Sequence, residues 1–236
     1  MAAWPLGRVP VSLPDFALMR QLILDLVPDA PPTFENFVAG RNGETLTGLA
    51  AWLAPENGEA LFALWGENGA GKSHLLRASA ADYHDAQHDA ALSALPVDGE
   101  FFAVDHLEVL DAAGQIRLFN LINRLRAEGG RLLTAAAWPP AQLALREDLR
   151  TRLASGLVYR LHPLSDDEKR ATLAAQAAER GLALPDEAWT YLLQRAPRDM
   201  RSLSAVLAAA DRYSLEHQRP ITLPLLREVL QNLAAR

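Results

Sequence analysis

Residues 66–73 read Gly66-Glu67-Asn68-Gly69-Ala70-Gly71-Lys72-Ser73, a full match to the phosphate-loop pattern G-x-x-x-x-G-K-[ST]. The apolar run Leu61–Trp65 precedes it and predicts a buried strand, while His74–Tyr83 follows as a predicted helix. Strand, glycine loop and helix together are the context in which this pattern becomes a site. Gly66, Gly69 and Gly71 allow backbone conformations that a side chain blocks. The N–H groups of the loop can then turn toward phosphates at a positive helix N-terminus. In that arrangement Lys72 reaches the β- and γ-phosphates, and the Ser73 hydroxyl is a ligand for Mg²⁺.

Outward from the loop, apolar runs alternate with helical patterns. Strands are predicted at Leu61–Trp65, Ala91–Val97, Phe101–Asp105, Arg131–Ala136 and Leu157–Leu161. Helices are predicted at Glu44–Ala54, Lys72–Tyr83, Gly114–Ala127 and Ala141–Leu153. This rhythm predicts an α/β fold, a parallel sheet covered by helices on both faces. From residue 165 the strand signal stops. Ser165-Asp166-Asp167-Glu168 is a capping-box start, and Gly181 ends that helix. Pro185 opens a second helix, Asp199 caps a third toward His217, and Thr222-Leu223-Pro224 opens the last. A small all-α lid is therefore expected over 165–236, after a nucleotide-binding core at 33–164. Residues 1–32 hold six prolines and are expected to form a flexible arm.

Composition narrows the class. Half of the 236 residues are apolar, which fits a folded globular chain. No apolar stretch is long enough for a membrane span, and no secretory signal pattern opens the chain. There are no cysteines, which excludes disulfides and thiolate zinc sites and agrees with a cytoplasmic setting. A net charge of −6 argues against broad electrostatic binding of DNA.

Phe101-Phe102-Ala103-Val104-Asp105 is an apolar strand ending in a carboxylate, placed where phosphate-loop proteins hold Mg²⁺. His106 follows it, where many ATPases carry a water-activating Glu. Glu108 comes two residues after that, a different depth if the segment is extended.

The segment Thr33–Asn42, containing Phe37 and Val38, resembles the adenine-pocket opening of the DnaA-related AAA+ family, and Gly66–Ser73 followed by His74-Leu75-Leu76 is also typical of that family. The resemblance runs from about Gln21 to Leu230. It implies an AAA+ core, bound ADP or ATP with Mg²⁺, and a nucleotide contact set of Phe37, Val38, residues 66–73, His74 and Arg198. Metal contacts are implied for Ser73 and Asp105. Arg198 falls in Pro197-Arg198-Asp199-Met200-Arg201, which is similar to the family's lid motif, with Arg201 a weaker candidate. Arg152, in Asp148–Leu153, takes the position of the arginine finger that acts on a neighbour's nucleotide.

Within the family the chain is most similar to the branch that inactivates the initiator DnaA. The stretch between the loop helix and Phe101 is short for the initiator's single-stranded-DNA helices, and no DNA-binding domain is expected after the lid. Gln21, Leu22, Leu24 and Leu26 lie in Gln21–Leu26, which looks like a peptide that docks on the DNA sliding clamp. Its glutamine fixes register and its leucines fill an apolar cavity. Read without the family, the same hexamer is an amphipathic strand covering the core edge. Met19 is expected to be the natural start of the chain.

One departure matters. The β-strand that normally ends in a polar sensor here runs Leu133-Thr134-Ala135-Ala136-Ala137-Trp138-Pro139-Pro140, with alanines in the polar positions. Binding without robust turnover is therefore expected. The reading is a nucleotide-bound regulator with the clamp and DnaA as partners, little direct DNA binding, no membrane, and a possible homo-oligomeric state. Its rivals are an autonomous ATPase (a loader or remodeller) and a nucleotide-binding adaptor with no effect on DnaA.

Overall fold

The structure, a computed structural model, describes residues 31–197, 199–218 and 220–234. The arm residues Gln21, Leu22, Leu24 and Leu26, together with Arg198, lie outside the described residues. Two compact units divide between residues 169 and 170.

The first unit is built on a five-stranded sheet: β1 Leu61–Trp65, β2 Asp82–Asp85, β3 Phe101–Asp105, β4 Arg131–Ala136 and β5 Leu157–Arg160. The spatial order is β2-β3-β4-β1-β5, and every pairing is parallel. Alternate residues of each strand feed opposite layers. Phe62, Leu64, Ala103, Leu133 and Ala135 face Leu49 and Trp52 of α1 (Gly43–Leu53) and Leu75 and Leu76 of α2 (Lys72–Ala78). Leu61, Phe102, Val104 and Leu132 face the other way. They meet Leu118, Ile122 and Leu125 of α3 (Ala112–Glu128), and Leu149 and Leu153 of α4 (Glu147–Ala154). Both faces are thus covered, which is why the central strands are mostly apolar, with Thr134 and Asp105 as buried exceptions. Fully burying each of these large side chains contributes about 1.5–3 kcal/mol.

Three sequence expectations give way here. The phosphate-loop helix ends at Ala78 rather than Tyr83. Ser79 closes it with a hydroxyl bond to the Leu76 carbonyl (2.7 Å), and Ala80 turns the chain at φ 58°. The chain then pairs Asp82–Asp85 with Phe102–Asp105 as β2, so a long-range ladder overrides a helix-favouring alanine run. Residues 91–97 form turns, not a strand. Leu92 is in the left-handed region, and the Asp89 carboxylate accepts from the Ser93 hydroxyl and the Ala94 N–H. Finally, the predicted helix 141–153 resolves into a 3₁₀ turn, Pro140–Gln142, a loop, and α4.

The second unit is all helical among its described residues. α5 (Asp166–Glu179) starts on the capping box: Ser165 Oγ accepts the Glu168 N–H, and Glu168 Oε2 accepts the Ser165 N–H at 2.7 Å. Gly181, at φ 70°, ends it, with the Leu182 N–H reaching back to the Ala177 carbonyl. α6 (Asp186–Arg195) follows Pro185, α7 (Met200–His217) is capped by Asp199, and α8 (Leu223–Ala234) completes the set. Trp189, Leu192, Leu203, Val206, Leu207, Leu226 and Val229 form its apolar core.

Candidate nucleotide site

The loop connects the C-terminal end of β1 to α2, with its glycines in backbone states that other residues rarely adopt. Gly66, Gly69 and Gly71 have φ of 155°, 82° and 99°. The Gly66 N–H is bonded to the Ala136 carbonyl at 3.2 Å, which seats the loop on the end of β4. A Cβ on Gly66 would stand 2.1 Å from the Leu161 carbonyl oxygen, and one on Gly71 would stand 2.6 Å from the Phe37 ring. Gly66→Ala is therefore expected to destabilise the protein by about 2–3 kcal/mol, a drop of roughly 5–10 °C in melting temperature. Gly58 has open space around its Cα, so Gly58→Ala is the control that should leave the melting temperature within roughly 2 °C. Calorimetric melting of the two variants checks both.

Lys72 is only 7% exposed. Its Nζ donates to the Gly66 carbonyl at 2.6 Å and to the Glu67 carbonyl at 3.0 Å. Burial pushes its pKa below the ordinary lysine value, and the Asp105 and Glu108 carboxylates work against that drop. Glu67, Asn68 and Gly69 are exposed on the rim, and Ala70 is buried beneath them. Ser73 follows Lys72 in the first turn of α2, half-buried.

Asp105 ends β3 fully buried. Its Oδ2 accepts from the Tyr83 hydroxyl at 2.9 Å, and its Oδ1 accepts the His106 N–H at 2.9 Å. Arg77 stacks over the Tyr83 ring at 4.6 Å and donates to its oxygen at 3.1 Å. Burial and the Asp105 carboxylate push the Tyr83 phenol far above its ordinary pKa, so it remains a donor. His106 adopts a left-handed conformation at φ 57°, with Nδ1 2.8 Å from Asp85 Oδ1. Burial opposes ionisation of Asp85, but the Gln87 N–H and the His106 ring outweigh it and hold the carboxyl below its ordinary range. Histidine tolerates this backbone region better than most residues. The turn sends Leu107–Val109 into a 3₁₀ segment, so Glu108 does not lie along an extension of β3. Its Oε2 instead accepts the Ala137 N–H at 3.2 Å, beside the end of β4. The sequence reading missed Tyr83, Arg77 and Asp85 because it placed Tyr83 at the end of a helix. The alternation Asp82-Tyr83-His84-Asp85 was the signal available for a strand.

The Thr33–Asn42 segment packs against the loop. The Phe37 ring lies edge-on to His74 with centroids 5.4 Å apart, and His74 Nε2 donates to the Thr33 carbonyl at 2.8 Å. Because a carbonyl only accepts, that ring nitrogen carries the proton. Val38 is half-buried on the same segment. Asn42, 2% exposed, bonds both backbone groups of His162 and fastens the segment beyond β5. Phe37, Lys72 and Asp105 thus belong to one unit, built around the loop.

Arg152 is on the exposed face of α4. Its guanidinium lies 5.9 Å from the Phe119 ring centroid and forms no ion pair among the described residues. It borders a cavity with Phe119, Arg146, Asp148 and Thr151. The neighbouring Arg146 is paired with Asp148 at 2.7 Å.

Domain III of the Thermotoga maritima replication initiation protein DnaA superposes with a TM-score of 0.68 at 18% identity, over 88% of this chain and 99% of that one. The chain carries the AAA+ fold of the DnaA-related proteins. AMPPCP-bound DnaA from Aquifex aeolicus matches at TM-score 0.60 and 19% identity, over 79% of this chain and 66% of that one. The RuvB Holliday junction branch migration motor of Thermotoga maritima gives 0.60 at 18% identity, over 85% and 72%. At these identities the likeness is one of fold. Residues 166–230 match the family described as Hda, lid domain. Among the described residues no helix is long and apolar enough to cross a membrane.

Proposed function

We propose that the chain is a nucleotide-binding AAA+ regulator that docks on the DNA sliding clamp and promotes ATP hydrolysis by DnaA, holding replication initiation in check. The match of residues 166–230 to the Hda lid domain carries this reading over the general AAA+ one. The glycine cradle, the buried Lys72 and the buried Asp105 suit a magnesium nucleotide, and AMPPCP is bound by the Aquifex aeolicus DnaA of the same fold. Residues 66–73 would hold the phosphates, with Phe37, Val38 and His74 toward the base and Arg198 of the lid as a further contact. Ser73 and Asp105 would hold Mg²⁺, which draws charge from the phosphate oxygens when bound. Residues 33–164 act as the core in this reading and 165–236 as its lid, with residues 1–32 as the arm.

Arg152 supports the trans-acting part of the proposal. Its head is exposed and not engaged in an ion pair among the described residues, as a finger for a neighbour's nucleotide requires. His106 points to Asp85, and the β4 end offers Ala136 and Ala137, so among the described residues these positions supply no water-orienting pair. Productive attack needs an oriented nucleophile as well as charge stabilisation.

The deciding experiment is to add the purified chain, with clamp and DNA, to ATP-bound DnaA and measure phosphate release. No acceleration of DnaA turnover, or robust ATPase activity by the chain alone, would defeat the proposal. Docking has its own test. The Gln21→Ala, Leu24→Ala double variant should lose at least about 2 kcal/mol of clamp affinity, roughly 30-fold, because a few apolar anchors dominate a short-peptide interface. ADP affinity and melting temperature should stay at wild-type values. Wild-type clamp binding by the double variant, measured by surface plasmon resonance, would return Gln21–Leu26 to a structural role.

A further inference from the structure

Three elements meet at Asp105. β3 ends on its carboxylate, which is fully buried. β2, paired in parallel with β3, brings Tyr83, whose hydroxyl donates to Oδ2 at 2.9 Å. The last turn of α2 brings Arg77, which stacks over the Tyr83 ring at 4.6 Å and donates to the phenol oxygen at 3.1 Å. Chemistry fixes the direction of both bonds. A guanidinium only donates, so the phenol oxygen accepts from Arg77 and its single proton is left for the carboxylate. Oδ1 takes the backbone N–H of His106 at 2.9 Å. The His106 ring stands 3.6 Å from the same oxygen but is engaged with Asp85 at 2.8 Å. A carboxylate offers about four lone-pair positions, and one donor on each oxygen takes two of them. The others stay open to a cation or its water shell. With both oxygens held, the carboxylate cannot turn without leaving a buried polar atom unpaired, which is costly.

We propose that Tyr83, held by Arg77, is a positioning residue for Asp105 and sets how tightly this site takes up Mg²⁺ together with its nucleotide. The proposal rests on reading residues 66–73 and Asp105 as a magnesium nucleotide site. Groups that hydrogen-bond a metal ligand orient it, and their loss typically weakens metal affinity by about 10–100-fold. The Tyr83 hydroxyl is that group for Oδ2. Arg77 acts one step further out, by holding the ring and leaving the phenol proton no acceptor but the carboxylate. Arg77 also belongs to the helix that carries Lys72 and Ser73. One rigid element therefore places a phosphate contact and a metal contact, and anchors the tyrosine that aims the second metal contact.

The test is titration calorimetry of the full chain with ADP, in EDTA and over a series of Mg²⁺ concentrations. Tyr83→Phe keeps the ring and removes the hydroxyl. We expect it to raise the Mg²⁺ concentration that gives half of the gain in ADP affinity by about tenfold. ADP affinity in EDTA should stay at the wild-type value, because no phosphate contact is removed. Arg77 is exposed, so Arg77→Ala spares the core and should move the Mg²⁺ requirement the same way by about threefold, the worth of an exposed cation–π contact. An unchanged Mg²⁺ requirement in Tyr83→Phe overturns the inference. So does an equal loss of ADP affinity with and without Mg²⁺, which would leave Tyr83 a purely structural role. If Tyr83→Phe does not fold, Arg77→Ala decides, and a titration identical to wild type overturns the inference. If the wild-type chain binds ADP but does not respond to Mg²⁺, the inference falls and the phosphate loop stands. If it takes up no ADP in either buffer, the nucleotide reading fails and this inference falls with it.

Discussion

Arg152→Ala is expected to remove the proposed acceleration of DnaA hydrolysis, while the proposed clamp and ADP binding should stay at wild-type values. That is the largest effect expected from any single substitution in this chain, since a finger supplied to a neighbouring active site contributes roughly 10³–10⁵ in rate. The loss should be clean. Arg152 sits on the exposed face of α4, and its contact with Phe119 is a cation–π approach at 5.9 Å. Such an exposed contact contributes only about 0.5–1 kcal/mol, so its removal barely touches the fold. No ion pair is broken among the described residues, so truncation leaves no stranded partner charge. The neighbouring Arg146–Asp148 pair provides an internal comparison: Arg146→Ala, at the start of α4 on the same cavity, should leave most of the stimulation intact. Phosphate release from ATP-bound DnaA in the presence of clamp and DNA reads the difference. Full stimulation by the Arg152 variant would remove the trans-acting mechanism.

Lys72→Ala should abolish tight binding of both ADP and ATP. The side chain is 7% exposed, and its ammonium donates to the Gly66 and Glu67 carbonyls. Each charge-assisted contact that it transfers to a phosphate is worth about 1.5–3 kcal/mol. Its removal also leaves Asp105 and Glu108 facing the phosphates without a cation between them. Loss of contact and gain of repulsion add in the same direction, so a weakening of at least roughly 100-fold, about 3 kcal/mol, is expected. Titration calorimetry with ADP checks it, and an unchanged dissociation constant would show that the loop does not hold phosphate.

Much of this fold is readable from local pattern. β1, β3 and β4 are apolar runs whose bounds coincide with the predicted ones, because strands buried on both faces admit few polar residues. In the helical part, Ser165–Glu168, Gly181, Pro185 and Asp199 mark helix ends through short-range hydrogen bonds and fixed backbone angles, which any neighbourhood preserves. β2 was hidden for the opposite reason. Its residues are polar and follow an alanine run, and only pairing with Phe102–Asp105 makes them a strand. The site divides along the same line. The phosphate loop is a contiguous motif, legible as written. The Tyr83–Asp105 bond depends on a non-local ladder, and the position of Glu108 depends on one left-handed residue, His106. Read as an extended segment, the same residues put Glu108 at the wrong depth.

The strand order β2-β3-β4-β1-β5 also sets a timetable at the ribosome. β1 is an interior strand, yet its two partners are made long after it: Leu61 waits for Leu132, and Phe62 waits for Leu157. At translation speeds of about 5–20 residues per second, the first of those partners emerges several seconds later. During that interval Leu61-Phe62-Ala63-Leu64 is a nascent apolar segment with neither of its neighbours available. The piece of chain that seats the phosphate loop is therefore the piece most in need of protection while the protein is being synthesised.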